Sequence, residues 1–488
     1  MSLNLITDPW IPVLDTAGRR RVIAPWQMAD AALVRPDWPR ADLNLGCLEL
    51  LIGLVFLADP PADLRDWRAR VAPDPERLRE RLAPYAPAFN LTGEGPLFLQ
   101  DLDPLEGSPN PPDMLFIDSA GAQTAKNNAD LMVRRDRYPA LDPALAAMAL
   151  YTFQAHAPSG GAGNRTSMRG GGPMVTLVDP GQGMWALIWA NTPCGVPGAL
   201  RDLPWMRRTQ VSDKGQLVPP PEGQRFGVEA FFGMPRRLRL VGDDAGITGV
   251  IQRPYGTNYT HWMHPLTPHY RQKVDTEWLP KHPRAGVFGY RHWLGILAED
   301  ATDLTECARS VTDWGERGEG GEVMVAGWSM DNMKPRDFVL SIAPVVALDE
   351  DGEAVLRGMI RAAEAAGVAL RGALEPVLAG GESREAEREA FFVQTEGAFR
   401  AGLEALRAGT APARVAGDWL AVLRDQAVGQ FDALALEGLY ERETDAIQRI
   451  VTARGHLGMA FRGYGKQGGE IFDALGMDKP ARKKGRAA

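Results

Sequence analysis

The spacing of apolar and polar positions changes along the chain, and the changes predict its architecture. Asn44–Leu57 is a strongly apolar run of helical length, which predicts a core helix. Asp63–Ala83 carries Arg and Glu at helical spacings and predicts one amphipathic helix with a solvated face. Leu141–Phe153 predicts a second buried helix. Ile6–Val13 reads as extended, because Pro9 and Pro12 bias the residues before them away from helix. Pro96–Gln100 reads as a short strand. From residue 174 the pattern turns to short strands among turns and aromatics: Met174–Val178, Met184–Ala190, Arg236–Val241 and Glu322–Ala326. Gly327–Pro335 then reads as a turn, favoured by Asp331-Asn332.

Near residue 350 the period becomes helical. Glu353–Leu378, Ser383–Ala408, Ala416–Leu436 and Tyr440–Phe461 are rich in Ala, Leu, Glu and Arg. Gly380-Gly381, Gly409–Pro412 and Gly438 separate them. Four helices with short connections predict an antiparallel bundle. The expected fold class is α+β. A large mixed domain of short strands and helices spans 1–350, a C-terminal four-helix bundle spans 351–465, and a basic, disordered tail spans 466–488. That tail holds Lys479, Arg482, Lys483, Lys484 and Arg486.

Composition narrows the functional classes. A chain of 488 residues is too long for one ordinary domain. It lacks a run of eighteen apolar residues, so no membrane span is expected. Its first residues lack a basic region followed by an apolar core, so no secretory signal is expected. Cys47, Cys194 and Cys307 are odd in number and far apart, which argues for a reducing, cytoplasmic compartment. No Cys-x-x-Cys occurs, so neither a thiolate zinc site nor another cofactor is expected. The net charge of −8 argues against a general nucleic-acid coat protein. It is compatible with local basic patches, and four stand out: Arg134, Arg135 and Arg137; Arg165 and Arg169; Arg236, Arg237 and Arg239; Arg271 and Lys273.

One stretch concentrates unusual chemistry. His156–Pro173 has six glycines among eighteen residues, with Asn164, Arg165, Thr166, Ser167 and Arg169 between them. Glycine loses the most freedom on ordering, so this density suggests close backbone approach, positive φ or mobility. Exposed N–H groups beside arginines suit phosphate or base edges, and a plain surface loop accounts for the same composition. Enzyme signatures are absent: no Walker loop, no Gly-x-Ser-x-Gly and no His-Glu-x-x-His. His261, His264 and His269 raise a metal-dependent hydrolase as an alternative, although prolines break their spacing and no carboxylate pattern completes a site. A scaffold that docks through its helices is the other alternative.

The order of features resembles the large subunit of the type I-E CRISPR surveillance complex, Cascade (the CasA family). The matching pieces are Leu5–Val13, Ala149–Pro173, His264–Pro268, the Gly327-Trp328 segment and the C-terminal helices. The resemblance implies a protein without catalytic activity. It implies reading of the protospacer-adjacent motif in double-stranded DNA from the minor groove, followed by opening of the duplex for R-loop formation. The implied partners are the other Cascade subunits, the 5′ handle of the guide RNA, target DNA and a helicase-nuclease. Carried over by position, the family's glycine loop falls on Ser159–Gly163, with Gly160, Gly161, Gly163, Asn164, Arg165 and Arg169 as DNA contacts. Its lysine finger falls at Arg271–Lys273, with Lys273 preferred, and its wedge on Asp331, Asn332 and Met333. Asn332 stands where the family commonly has glutamine, and Ser159 and Ala162 depart from a fuller glycine run. The handle-binding loop falls within Gly121–Arg135, with Lys126, Asn127 and Asn128 as RNA contacts.

Overall fold

A computed structural model describes residues 2–119, 121, 126–128, 134, 137–161 and 163–480. They form two compact units, Met1–Gly286 with Thr302–Val345, and Val287–Ala301 with Val346–Ala488.

The first unit is built on an apolar helix. Strands β1 (Ile11–Asp15), β2 (Arg20–Ile23) and β3 (Leu33–Pro36) form a small antiparallel sheet in the order β2-β1-β3. Helix α1 (Ala41–Ala58) follows, and nearly all of it is buried. It is long and apolar enough to cross a membrane, but this unit's core encloses it. The charged stretch after it is two helices, α2 (Leu64–Ala69) and α3 (Pro75–Leu82), rather than one. Pro73 and Pro75 interrupt the backbone ladder. Asp63 and Asp74 cap the two starts by accepting from the N–H groups of Asp66 and Arg77. Pro96–Gln100 is a turn, not a strand, with Leu99 at φ +51. Helix α4 (Pro143–His156) packs on α1 and leads into the glycine segment.

Beyond the segment lie β4 (Val175–Asp179) and α5 (Met184–Asn191). The second of these was expected as a strand. A seven-residue run that is apolar on every face fits either period. Here Asn191 decides the end of a helix, its amide donating to Leu187 O and Val178 O while its Oδ1 accepts the Val178 N–H. Helix α6 (Val228–Phe232) packs on α1, and β5 (Arg237–Asp243) pairs with β6 (Gly246–Arg253). Short strands β7 (His269–Tyr270), β8 (Leu279–Pro280) and β9 (Thr305–Glu306) form a three-stranded patch in the order β8-β7-β9. Helix α7 (Arg309–Arg317) follows, then β10 (Glu322–Asp331) and β11 (Lys334–Pro344). Gly327 to Asp331 is therefore a continuation of β10, and the turn is only Asn332-Met333. β10 also pairs with β4, giving the sheet order β11-β10-β4.

The second unit contains α8 (Glu350–Ala373), α9 (Gly381–Arg407), α10 (Pro412–Leu436), α11 (Thr444–Ala460) and α12 (Gly465–Ala474). α8 contacts all four others. Helix α12 lies where composition suggested the start of a disordered tail. Its Ile471 is buried, and at Gly358 of α8 a Cβ would overlap the Ala474 carbonyl. Residues 481–488, with most of the basic tail, lie outside the described residues. The 287–301 piece also belongs to this unit, not to the first. Tyr290 stacks on Phe399 at 4.3 Å and bonds Thr395 Oγ1 at 2.8 Å, and Trp293 meets Phe399 edge-on. A chain detour held by two aromatics leaves no periodic signal, so the sequence reading placed it in the first domain.

Candidate nucleic-acid interface

The glycine segment is held at both ends by one carboxylate. Glu49, fully buried in the middle of α1, lies 2.6 Å from His156 Nε2 and accepts from Arg169 Nη1 at 2.5 Å. Burial pushes the Glu49 carboxyl up, but the charges of Arg169 and His156 outweigh it and hold it well below the usual range. His156 ends α4 and Arg169 lies thirteen residues on, so the ion cluster closes the loop between them. Arg169 was expected to touch DNA. At 4% exposure, with Glu49 and Thr267 Oγ1 as partners, it is a structural anchor instead.

The tip of the loop is turned outward. Ser159, Gly160 and Gly161 are exposed. Gly160 N–H donates to Asn164 O at 3.3 Å, and Asn164 N–H donates back to Gly161 O at 3.1 Å. Gly161 sits at φ +88 with open space where a Cβ would be. Gly163, at φ +76, differs: a Cβ there would stand 2.8 Å from Pro254 Cβ, and its carbonyl accepts the Tyr255 N–H. Asn164 Oδ1 accepts from Gln252 Nε2 at 3.1 Å. Arg165 donates through Nε to Ser212 Oγ at 2.8 Å and through Nη2 to Ser212 O at 2.9 Å. These two side chains brace the tip. Ala162 lies outside the described residues.

The far end of the segment is wedged between two other candidates. A Cβ on Gly172 would overlap the Trp328 carbonyl of β10, and one on Gly170 would stand 2.6 Å from His282 Nε2. Met174 N–H donates to Lys281 O at 2.9 Å. The glycine run 170–172 is therefore a packing device. It roots the segment against the β10–β11 hairpin on one side and the 268–283 strip on the other.

That strip carries Arg271 and Lys273. Arg271 is occupied: its Nε donates to Asp303 O at 2.6 Å and its guanidinium lies 4.5 Å from the Trp278 ring centre. Lys273 lies in an exposed turn closed by Thr276 N–H donating to Lys273 O at 3.0 Å. Of the two, Lys273 is the more exposed.

The hairpin tip has an unusual turn. Asp331 pairs with Lys334, so Asn332 and Met333 form a two-residue connection with φ +48 and +62. Two successive positive φ values mark a type I′ turn, whose twist matches the strands and which favours Asn then Gly. Met333 occupies the glycine position and is 49% exposed. Asp331 is paired with Arg336 at 2.7 Å and accepts from Asn332 Nδ2 at 3.0 Å.

Two other expectations fall differently. Lys126, Asn127 and Asn128 are exposed, but most of Gly121–Arg135, including Arg135, lies outside the described residues. The base of that stretch is tied by Asp113, which accepts the N–H groups of Arg137 at 2.7 Å and Tyr138 at 3.0 Å. Arg137 itself pairs with Asp118 at 3.0 Å. The three histidines of the hydrolase alternative do not converge. His261 is exposed near Glu277 at 3.4 Å, whereas His264 and His269 are buried. Burial lowers both, with the Arg169 charge adding to His264 and the Arg225 charge to His269, which falls to about 3. Among the described residues no three His, Cys, Asp or Glu are arranged to hold a metal ion.

Residues 4–430 match the family model for CRISPR-associated protein Cse1. The chain belongs to the Cse1 family. The fold of this Cse1 relative is similar to that of CasA (Cse1) from Thermus thermophilus, with 18% identity, a TM-score of 0.70, and 94% of this chain and 100% of that one covered. It is also similar to Cse1 from Thermobifida fusca, with 19% identity, a TM-score of 0.70 and 98% of each chain covered. A chain of a CRISPR RNA-guided surveillance complex is similar at 16% identity and a TM-score of 0.67, with 93% of this chain and 99% of that one covered.

Proposed function

We propose that this chain is the non-catalytic large subunit of a type I-E CRISPR RNA-guided surveillance complex, Cascade. In that role it assembles with the other Cascade subunits and the guide RNA. It reads the protospacer-adjacent motif of target double-stranded DNA from the minor groove and opens the duplex to start R-loop formation. It then helps to recruit a helicase-nuclease. The observation that carries the reading is that, in a Cse1-family chain, the glycine segment is packed at its root against both the hairpin and the 268–283 strip.

The chemistry of each element supports a role. The minor groove is about 6 Å wide and offers a degenerate set of acceptors. A bare backbone at Gly161 enters where a side chain would collide. The Lys273 amine donates to acceptors on the groove floor. Asn332 and Met333 offer a planar amide and an apolar wedge, suited to unstacking a base step at a cost of roughly a few kcal/mol. Lys126, Asn127 and Asn128 contact the 5′ handle, and the C-terminal helices, as a four-helix bundle extended by α12, dock the neighbouring subunits. Guide pairing then reads the remaining sequence.

The test uses the complex reconstituted with guide RNA. Lys273→Ala and Gly161→Asp should each weaken binding to intact motif-bearing duplex by roughly tenfold or more, with pre-melted target bound normally. Asn332→Ala should mainly slow opening. Wild-type affinity for intact duplex in all three variants would leave only a docking role.

A further inference from the structure

A fourth arginine lies under the glycine tip. Arg236 precedes β5 and is 4% exposed. Its Nε donates to Arg165 O at 2.5 Å and its Nη2 donates to Pro158 O. These carbonyls belong to the two stems of the tip, so one guanidinium ties the stems together. Its own backbone is fixed on α4, with the Arg236 N–H donating to Gln154 Oε1 and Gln154 Nε2 donating to Arg236 O, both at 3.0 Å. A Cβ on Gly160 would stand 2.8 Å from Arg236 Nη1, whereas Gly161 meets nothing. The two glycines therefore have different reasons: Gly160 makes room for the guanidinium below, and Gly161 leaves the surface bare.

The charge of Arg236 lacks what its neighbours have. Arg237 is paired with Asp101 at 2.6 Å and Arg169 with Glu49. Among the described residues no carboxylate pairs with Arg236, and burial alone lowers it to about 10, which leaves it charged at neutral pH. A buried cation without a counter-charge is costly, and an anion brought from outside relieves that cost.

We propose that Arg236 is a positioning residue that shapes the glycine tip and holds an open positive charge behind Gly160 for a nucleic-acid phosphate. The proposal rests on the DNA-reading role above. Its ligand is the phosphate backbone of the duplex strand that runs past the tip, drawn against the bare surface at Gly161.

The experiment measures binding of the assembled complex to motif-bearing and motif-lacking duplexes across a salt series. Arg236→Met should weaken both and flatten the slope of log K against log salt by about one, the signature of one positive charge removed from beside the phosphates. Arg236→Lys should keep the slope but lose discrimination between the duplexes, because one ammonium cannot span both carbonyls. An unchanged slope in an assembled Arg236→Met complex overturns the proposal. If that variant fails to assemble, Gly160→Ala takes its place, since it crowds the guanidinium and keeps its charge. Reduced discrimination with an intact slope is then expected, and unchanged discrimination overturns the proposal. Lys273→Ala in the same series separates the two levels. If it weakens binding while the Arg236 or Gly160 variant does not, only the Arg236 assignment fails. If it has no effect, the DNA-reading role fails.

Discussion

Replacing Glu49 by Gln should destabilise the first unit by about 3–5 kcal/mol, the range for breaking a buried ion pair by removing one partner. Gln keeps the shape and one acceptor but takes away the charge that Arg169 faces at 2.5 Å and His156 at 2.6 Å, in a site fully closed to water. Against a typical domain stability of about 5–15 kcal/mol this is a large fraction. For a domain of a few hundred residues each kcal/mol moves Tm by about 2–4 °C, so the drop is roughly 6–20 °C. Differential scanning calorimetry of the isolated chain measures it. The double variant Glu49→Gln/Arg169→Gln should recover part of the loss, because no orphaned guanidinium remains. A drop below about 1 kcal/mol, or strict additivity in the double variant, would refute the anchoring of the loop by this cluster.

Two further outcomes follow from the same structure. His264 and His269 are both depressed by burial, His269 to about 3, so the unfolded chain takes up protons below about pH 6.5 and the folded one does not. Stability present above that pH is lost as pH falls. At about 1.4 kcal/mol per unit, His269 contributes about 2–3 kcal/mol between about pH 6.5 and 4.5, and His264 adds to it in the same direction. Urea unfolding over that interval checks it, and His269→Gln should flatten the pH dependence measurably. At the hairpin tip, Met333→Gly relieves roughly 1 kcal/mol of left-handed strain and adds a similar unfolded-state cost, so Tm should hardly move. Duplex opening should slow nonetheless, read from base-analogue fluorescence; an unchanged opening rate would remove Met333 from the wedge.

Much of this was legible in the chain before its structure. The apolar runs marked α1 and α4, and the change of period near 350 lies close to the return of the chain to the helical unit at Val346. Other features were lost for identifiable reasons. Met184–Asn191 is apolar on every face, so its period carried no information, and the deciding contacts of Asn191 reach back to β4. The 287–301 detour is held by aromatics from distant helices. At the site, glycine density and the Asp331-Asn332 pair were visible, but the division of labour among four arginines was not. Arg165 braces Ser212, Arg169 holds Glu49, Arg271 lies on Trp278, and Arg236 binds two carbonyls. Residue type is the same in all four, and only burial and the partner separate them.

The glycine segment shows why the distinction matters for an acidic protein. With a net charge of −8, a diffuse field would repel DNA, so the proposed reading requires positive charge left uncancelled at the point of contact. Most arginines around the segment are neutralised or committed to carbonyls, which removes them as free contacts while fixing the loop. The exposed part of the tip is left nearly featureless, with Gly160 and Gly161 backed by a buried guanidinium that has no carboxylate partner among the described residues. Glycines 170–172 meanwhile let the segment lie flush against β10 and His282, which ties the tip's placement to the hairpin and to the strip carrying Lys273. A flexible loop would need neither the buried ion cluster at its ends nor close backbone packing at its root. Both features suit the rigid probe of the proposed reading, since ordering a loop only on binding would subtract from its affinity for every duplex sampled.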